Sequence, residues 1–243
     1  MSPLTRRGFL AGLAATALAG CNMEPSHRFW GFWSWAEGAW QAFLEAGPGR
    51  RARAKVYPKT AISKEFPTRS LELPDAYADM LARWELKVEG LIEAPRSFTL
   101  AQLQQAFPKT AEVTRHDCVE GWSAIAEWGG ISLPAFVAAM KPKPGAKYVV
   151  FHSADADNGG APYYGSLTID QAMHPQTLLA YEMNGQPLPV PHGAPLRLKV
   201  PTQLGYKSTK YINRIAFVEK LDGLHGGKGG YWEDTGYEHY AGI

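Results

Sequence analysis

The chain of 243 residues has only two cysteines, and its charges nearly cancel, leaving a net charge of +2. So few cysteines exclude a disulfide-stapled scaffold. The near-balance of 25 Lys+Arg against 23 Asp+Glu argues against a nucleic-acid binder, which is usually strongly basic. There is no run of 18 apolar residues that would predict a transmembrane helix. With 45% hydrophobic and 20% charged residues, the composition predicts a globular α+β protein.

The usual motifs of several cofactor and metal sites are also missing. The sequence contains no G-x-G-x-x-G or G-x-x-x-x-G-K-[ST] to cradle a nucleotide, and no H-E-x-x-H or C-x-x-C pair for zinc. Gly121-Trp122-Ser123 lacks the second glycine of a nucleophile elbow. Asp155 and Asp157 alternate in a glycine-rich stretch and are interpreted as turn residues.

The first 20 residues are predicted to be a signal peptide. Arg6 and Arg7 precede an uncharged apolar stretch over residues 9–20, which is typical of a twin-arginine signal. The sequence Leu-Ala-Gly-Cys at 18–21 has the form of a lipoprotein processing site and predicts a lipid anchor on Cys21; plain cleavage at an A-x-A site is the alternative. The expected location is therefore the periplasmic side of a bacterial membrane, with export by the twin-arginine route.

Residues 21–56 are expected to form a separate arm and linker ahead of the main domain, residues 57–243. Four of the eight tryptophans lie within 27–44, where aromatic residues recur near helical spacing. Two interpretations stay open for them: a helix that lies in the membrane interface beside the anchor, or an arm packed against the core or a partner. The basic run at 50–55 is interpreted as a solvated linker.

Short strands mixed with brief helices are predicted in the main domain. Asn184-Gly185 is a strong turn signal and places a hairpin within 178–189. The mixture, in a chain with 18 prolines and 25 glycines, predicts an α+β fold whose β-sheet is mixed or barrel-like. Periodicity predicts strands at 84–90, 113–118, 147–151, 196–200 and 211–218, and helices at 99–107, 133–140 and 170–173.

Cys118 is the only free thiol once Cys21 is lipidated. In an exported protein, a solitary cysteine is a buried inert thiol, a reactive thiol or a metal ligand. The cysteine lies in the sequence Arg-His-Asp-Cys-Val-Glu-Gly-Trp at 115–122.

This segment resembles the sulfite oxidase fold family, and within it the bacterial molybdopterin-binding oxidoreductases. Further segments carry the resemblance in the same order: Met-His-Pro-Gln-Thr-Leu-Leu at 173–179, His-Gly-Ala-Pro-Leu-Arg at 192–197, and 205–215, which opens with Gly-Tyr-Lys-Ser. The resemblance covers roughly residues 84–218. It implies the sulfite-oxidase molybdopterin-binding fold, with short helices, and an oxidoreductase that transfers an oxygen atom in a two-electron reaction.

The resemblance also implies roles for single residues. Cys118 is implied to be the thiolate ligand of molybdenum in a molybdenum–molybdopterin cofactor (Mo-MPT), since a thiolate is a soft ligand that matches the two dithiolene sulfurs. Glu120 is implied to lie near the open coordination position and to relay protons; an ion pair with Arg115 is the alternative. The other implied cofactor contacts are Ser153, His192, Arg197, Lys207, Ser208, Thr209 and Lys210, together with Lys64 and Glu65 in a segment that covers the pterin.

The implied substrate is a small oxo compound. The Cys-Val-Glu sequence is more similar to the sulfoxide-reducing branch of the family, which favours reduction of an S-oxide or an N-oxide. A sulfite dehydrogenase of the same fold and a non-catalytic binding lipoprotein are the alternatives. No C-x-x-C-H haem motif is present, so a separate redox partner is expected, either a cytochrome c or a membrane quinol-linked haem protein.

Two further expectations concern the end of the chain and the pocket. The few residues after the matching region leave no room for the additional β-sandwich through which many sulfite oxidases dimerise, which implies a monomer. The glycine- and aromatic-rich tail at 226–237 is expected to pack as a terminal segment or to close over the site. Candidates for lining the pocket are His116, Tyr163, Tyr164 and Tyr206.

Overall fold

The structure, a computed structural model, describes residues 30–46 and 52–243. The chain divides into two compact units, residues 1–49 and residues 50–243. The predicted signal peptide at 1–20, the predicted anchor at Cys21 and the start of the basic linker lie outside the described residues. None of the helices within the described ranges is both long enough and apolar enough to cross a bilayer.

The first unit contributes one described helix, α1, Trp30–Ala46. The aromatic segment is thus helical, as its spacing indicates. Four of its rings point to solvent: Phe32, Trp35, Trp40 and Phe43 expose 58%, 67%, 59% and 63% of their surface. Trp40 and Phe43 stack on each other with ring centroids 5.5 Å apart.

The second unit combines short helices with strands. The helices that follow α1 in the described chain are α2 (Tyr77–Ala82), α3 (Leu100–Ala106), α4 (Leu133–Met140), α5 (Ile169–Ala172) and α6 (Tyr231–Asp234). The strands are β1 (Leu86–Gly90), β2 (Arg96–Phe98), β3 (Lys109–Asp117), β4 (Ser123–Ser132), β5 (Tyr148–Ala156), β6 (Pro162–Thr168), β7 (Leu178–Met183), β8 (Gln186–Pro187), β9 (Arg197–Lys199) and β10 (Ile212–Val218). Short 3₁₀ turns occupy Lys59–Ala61, Val190–His192 and Gly205–Lys207.

The strands form two sheets. The first has the order β2–β1–β10–β5–β6, in which β1 and β10 are parallel and the other neighbours antiparallel. The second has the order β3–β4–β7–β8, with β9 also paired to β7, and is antiparallel throughout. The predicted α+β class is confirmed. The barrel-like alternative for the sheet is wrong, because neither sheet closes on itself among the described strands.

Local sequence signals set the ends of the helices. Thr99 and Gln102 form a capping box at the start of α3, in which each side chain accepts a hydrogen bond from the other's backbone N–H. The Ser132 side chain caps α4, and Lys141 ends the helix in the left-handed conformation. The helices α3, α4 and α5 confirm those predicted from periodicity to within one or two residues. Each of them begins at a capping residue of this kind.

The two sheets share one hydrophobic core. Val88 and Phe217 of the first sheet, Ile131 and Leu198 of the second, and Phe136 of α4 belong to a single cluster of buried side chains. Each of them is at most 1% exposed. Burial of this apolar surface is the main favourable contribution to folding. The shared core also fixes the second sheet, whose loops and short strands carry the site.

One glycine allows two strands of the second sheet to approach closely. A Cβ atom on Gly130 of β4 would lie 2.1 Å from the backbone oxygen of Leu179 in β7. The β4–β7 pairing shifts register between Gly129 and Gly130, which is the signature of a β-bulge. No other residue fits this position without moving the strands apart.

Candidate active site

A five-residue loop at the tip of the β3–β4 hairpin carries Cys118. The two strands pair residue for residue from Lys109 opposite Ile131 to Asp117 opposite Ser123, so residues 118–122 are the turn. The Cys118 N–H donates to the Trp122 carbonyl at 2.9 Å, and the Gly121 N–H donates to the Cys118 carbonyl at 3.0 Å. Gly121 has φ 90°, a left-handed conformation that glycine adopts without strain. The half-buried thiol is therefore held by a well-formed turn.

The thiol lines a cavity of about 360 Å³. That volume is within the range of small-molecule and cofactor sites. Besides the hairpin tip, the wall is built from parts of residues 66–71, from Asp155 and Tyr163 on β5 and β6, from the segment 192–210, and from Trp232 and Tyr237 near the end of the chain.

Glu120 stands beside the thiol as a fixed carboxylate. It accepts hydrogen bonds from Trp122 Nε1 at 2.8 Å and from Arg69 Nε at 2.9 Å, and its Oε2 lies 3.9 Å from the Cys118 sulfur. The hydrogen bonds from Trp122 and Arg69 lower the pKa of the Glu120 carboxyl. The alternative partner, Arg115, is wrong, because its guanidinium pairs with Asp117 at 2.9 Å.

Three cations lie in or next to the cavity wall: Arg197 and Lys210 line the cavity, and Lys199 contacts His116, which lines it. Arg197 and Lys199 on β9 are buried, at 2% and 1% exposure. Arg197 donates to the carbonyls of His192 and Ser208, at 2.8 and 3.3 Å, and its guanidinium carbon lies 4.6 Å from the centroid of the Trp128 ring. The third cation, Lys210, donates to the Arg69 carbonyl at 2.6 Å and to the Pro191 carbonyl at 2.9 Å.

The protein supplies these cations with no counter-charge in contact. None of the three forms a salt bridge with a carboxylate of residues 30–46 or 52–243. Burial, reinforced by the charge of Arg197, lowers the pKa of Lys199 to about 7 and that of Lys210 to about 7. Burial also lowers the pKa of Arg197 to about 10. Arg197 and Lys199 are buried and Lys210 is partly buried, and to hold such charges away from water without a carboxylate in contact is costly. A bound anion lowers that cost. The donor set therefore fits a phosphate-bearing cofactor, with the Cys118 sulfur available as a soft ligand.

Only two of the four residues 207–210, which are predicted to hold the cofactor, lie in the cavity wall. Ser208 and Lys210 line the cavity, whereas Lys207 and Thr209 do not. Lys207 is buried in an ion pair with Glu233, which directs its ammonium toward α6. Thr209 is fully buried, and its hydroxyl oxygen has no hydrogen-bond partner among the described residues.

Two other predicted contacts lie close to this loop. The Ser153 hydroxyl is within hydrogen-bonding distance of the buried Asp155 carboxylate and of the Lys210 carbonyl, the latter at 2.8 Å, so Ser153 supports Lys210 from behind the wall. His192 lines the cavity, and burial together with the charge of Arg197 lowers the pKa of its imidazole to about 4. The imidazole is therefore neutral at pH 7.

The structure does not bring Lys64 and Glu65 to the cavity. Both side chains are exposed, while the next residue, Phe66, forms part of the wall. Among the predicted lining residues, His116, Tyr163 and Tyr206 are in the wall. Tyr164 does not line the cavity; its hydroxyl donates to Asp234 at 2.5 Å.

Several residues of the wall had no counterpart in the sequence prediction. No feature of the sequence marks Arg69, which holds Glu120, as a residue of the site. The sequence predicts Asp155 to be a turn residue, but Asp155 is buried. Trp232 and Tyr237 belong to the aromatic tail, whose composition was the available signal. Both expectations for the tail find support, because it packs on the domain and also reaches the cavity.

The fold and the site define a domain that binds an anionic cofactor next to a cysteine. The family described as "Oxidoreductase molybdopterin binding domain" matches residues 71–223, and the chain belongs to this family. The resemblance to the sulfite oxidase type of molybdopterin-binding domain is thereby confirmed, as is the prediction of an oxidoreductase.

Curated relatives narrow the similarity further. The chain is 38% identical over 190 residues to a "Putative protein-methionine-sulfoxide reductase subunit YedZ1" of Azospira oryzae, an alignment that covers 78% of this chain and 68% of that one. It is 34% identical over 232 residues to the "Protein-methionine-sulfoxide reductase catalytic subunit MsrP" of Ralstonia nicotianae, covering 88% and 69% of the two chains. For the subunit of the same name in Xanthomonas campestris, identity is 42% over 150 residues, and coverage is 58% and 47%.

A solved structure shares the fold. The sulfane dehydrogenase SoxCD from Paracoccus pantotrophus aligns with a TM-score of 0.51 and 23% identity over 71% of this chain and 46% of that chain. This similarity concerns the fold alone. The chain spans 46% to 69% of the length of these relatives.

Proposed function

We propose that this chain is the catalytic part of a molybdopterin-dependent enzyme that reduces S-oxides, with methionine sulfoxide as the substrate class. The observation that carries the proposal is the half-buried Cys118 thiol in a cavity lined by two cations, Arg197 and Lys210, which form no salt bridge with a carboxylate of residues 30–46 or 52–243. The names of the curated relatives, which are reductases of methionine sulfoxide in proteins, support the direction of the reaction.

In this proposal, the protein holds Mo-MPT through two kinds of contact. Cys118 supplies a thiolate, which is the soft anionic ligand that suits molybdenum. Arg197 and Lys210 neutralise the anionic group, and the planar guanidinium of Arg197 is suited to a phosphate. Lys199, whose ammonium lies 3.5 Å from Nδ1 of His116 in the wall, adds positive potential. The remaining proposed contacts are His192 and Ser208, which also line the cavity.

The bound cofactor supplies the chemistry that exchanges one oxygen atom and two electrons with a substrate. Reduction of an S-oxide consumes two electrons and two protons, and yields a sulfide and water. Glu120 is proposed to pass the protons, because its carboxylate lines the cavity 3.9 Å from the thiol and still exposes 43% of its side chain to solvent. Arg69 and Trp122 fix the position of that carboxylate.

We also propose that the enzyme works as a monomer on the periplasmic side of a membrane and receives electrons from a separate redox protein. The curated relatives are named as subunits, which supports a partner. The exposed aromatic rings of α1 are suited to the interface of a bilayer beside a lipid anchor at Cys21. Two signals of this kind, acyl chains and an amphipathic helix, are what stable peripheral anchoring requires.

The direction of the reaction is tested with the holoenzyme, purified from a host that makes the cofactor. We expect it to contain molybdenum and to oxidise reduced methyl viologen when methionine sulfoxide is added. Activity with sulfite and cytochrome c alone would reverse the proposed direction. Protein without molybdenum from the same host would favour a binding lipoprotein.

A further inference from the structure

Apart from Tyr163 and two histidines, five aromatic side chains line the same cavity as Cys118: Phe66, Trp122, Tyr206, Trp232 and Tyr237. We refer to them as the aromatic rim. Each is at least partly exposed to solvent. The rim has two groups of touching rings, with Phe66 and Trp122 at 6.0 Å between centroids on the side of the thiol. On the other side, the Tyr237 ring lies 5.3 Å from both the Tyr206 and the Trp232 rings.

The part of the rim near the end of the chain is held in place from below. Glu233, next to Trp232, forms an ion pair with Lys207, and the two side chains are 3% and 1% exposed. A Cβ atom on Gly230 would lie 1.9 Å from a carboxylate oxygen of Glu233, so a glycine is required for this packing. Breaking a buried ion pair is costly, which gives the segment one defined position.

Hydrogen bonds connect this segment to the loop that lines the cavity. The Tyr206 hydroxyl donates to the Glu238 carbonyl at 2.7 Å, and the Tyr163 hydroxyl donates to the Tyr206 carbonyl at 2.7 Å. The Tyr237 N–H donates to the Trp232 carbonyl at 3.1 Å. The rings are therefore pre-organised, and little ordering is needed when a ligand packs against them.

The rim is not explained by the need to hold an anion. Arg197 and Lys210 provide the charge for that purpose. Partly exposed rings clustered at a cavity are instead typical of a surface that receives an apolar group. An S-oxide has a polar oxygen and carbon substituents on one sulfur atom, and both sulfur and aryl groups pack favourably on aromatic rings. Sulfite carries no carbon substituent and gains nothing from such a surface.

We propose that the aromatic rim is the specificity surface of the enzyme, and that it selects S-oxides with a carbon substituent of the size of a methionine side chain or an aryl group over the smallest S-oxides and over oxyanions. This inference rests on the proposed S-oxide reduction and names the residues that choose among its substrates. Trp232 and Tyr237 are the positions that test it, because they lie far in sequence from Cys118.

The test compares binding and turnover of a large and a small ligand in the holoenzyme. Methyl phenyl sulfone and dimethyl sulfone are not reduced, so calorimetry of the oxidised enzyme without reductant measures binding alone. We expect Trp232→Ala and Tyr237→Ala each to weaken methyl phenyl sulfone binding about fivefold to tenfold. Binding of dimethyl sulfone should change less than about twofold. With reduced viologen as the electron donor, the KM of methyl phenyl sulfoxide should rise in parallel while kcat stays constant.

Two variants serve as matched controls. Trp232→Phe keeps a ring at the rim and should retain most of the preference for the aryl ligand. Tyr57→Ala removes a ring that does not line the cavity and should leave the binding ratio unchanged. Molybdenum content and thermal unfolding are measured for every variant, so that loss of cofactor or of fold is detected directly.

The outcomes separate the two proposals. If the wild-type enzyme reduces methyl phenyl sulfoxide but Trp232→Ala and Tyr237→Ala keep its preference over dimethyl sulfoxide, the specificity surface is refuted while the proposed function stands. Loss of molybdenum from both variants would also refute it, because the rings would then belong to the cofactor site. A wild-type enzyme that reduces no S-oxide refutes the proposed function, and sulfone binding still decides whether the rim binds carbon substituents.

Discussion

Replacing Lys199 with methionine removes a buried positive charge and keeps an unbranched side chain. Lys199 is 1% exposed, and its ammonium lies 3.2 Å from the Arg115 carbonyl and 3.5 Å from His116 Nδ1. Burial, with a smaller contribution from the nearby Arg197, lowers the pKa of this ammonium from 10.5 to about 7. The folded protein therefore binds this proton less tightly than the unfolded chain does.

The sign of the effect on stability follows from linkage. Between the folded pKa of about 7 and the unfolded value of 10.5, the unfolded chain holds the proton and the folded chain does not. The free energy of unfolding therefore rises with pH across this window. The destabilisation is absent above the window and fully present below it, where it reaches roughly 5 kcal/mol at 1.36 kcal/mol for each pKa unit. Between pH 7 and pH 9 it changes by roughly 2 kcal/mol.

Urea unfolding of the cofactor-free protein measures this difference. We compare the free energy of unfolding of Lys199→Met with that of the wild type at each pH. The difference, variant minus wild type, should be more positive by roughly 2 kcal/mol at pH 7 than at pH 9. The hydrogen bonds lost to Arg115 and His116 shift both values together, so they do not affect the comparison. The exposed Lys220 provides the control, since Lys220→Met should shift the stability equally at both pH values. An equal shift for Lys199→Met would show that its ammonium is solvated, and would refute the reasoning.

Three further substitutions give direct tests. Cys118→Ser should leave the circular dichroism spectrum unchanged and lower S-oxide turnover by at least about a hundredfold, because a hard alkoxide suits molybdenum poorly; near-normal turnover would remove Cys118 from the site. Glu233→Gln should lower the urea-derived free energy of unfolding by about 3–5 kcal/mol, since it removes the carboxylate that pairs with the buried Lys207 ammonium. A loss below about 1 kcal/mol would contradict this. Gly130→Ala should lower the free energy of unfolding by more than about 2 kcal/mol, because its Cβ would lie 2.1 Å from a backbone oxygen of β7. Gly223 faces open space, so the control Gly223→Ala should change the free energy of unfolding by less than about 0.5 kcal/mol.

Elements with their own local signals were predictable from the sequence. The capping box at Thr99 and the cap at Ser132 begin helices that periodicity also indicates. Asn184 and Gly185 have φ 54° and 75°, as expected for a tight hairpin turn. The strands β2, β4 and β6 are not predicted by the sequence. Burial alternates along β4 only as far as Trp128; residues 128–131 are all buried, and the pairing of this half with β7 includes two glycines.

Whether a sheet closes on itself, and which side chains face the cavity, depend on contacts between residues that are distant in sequence. No local pattern encodes such contacts. Resemblance to a family placed Cys118 and Glu120 in one loop, but it did not identify Arg69, which lies 51 residues away in the sequence and holds Glu120. Lys207 and Lys210 look equivalent in the sequence, yet the backbone turns one toward Glu233 and the other toward the cavity. The direction of a side chain in such a loop is set by its tertiary partners.

The turn that holds the cysteine is supported by nine paired positions of β3 and β4, and these pairings involve none of the residues 119–122. Position 119 can therefore be varied while the paired ladder and the neighbouring Cys118, Glu120 and Gly121 are kept. Val119 lines the cavity and is 47% exposed. A saturation library at this position offers a route to variants with new substrate ranges, in which selection acts on the chemistry of the pocket.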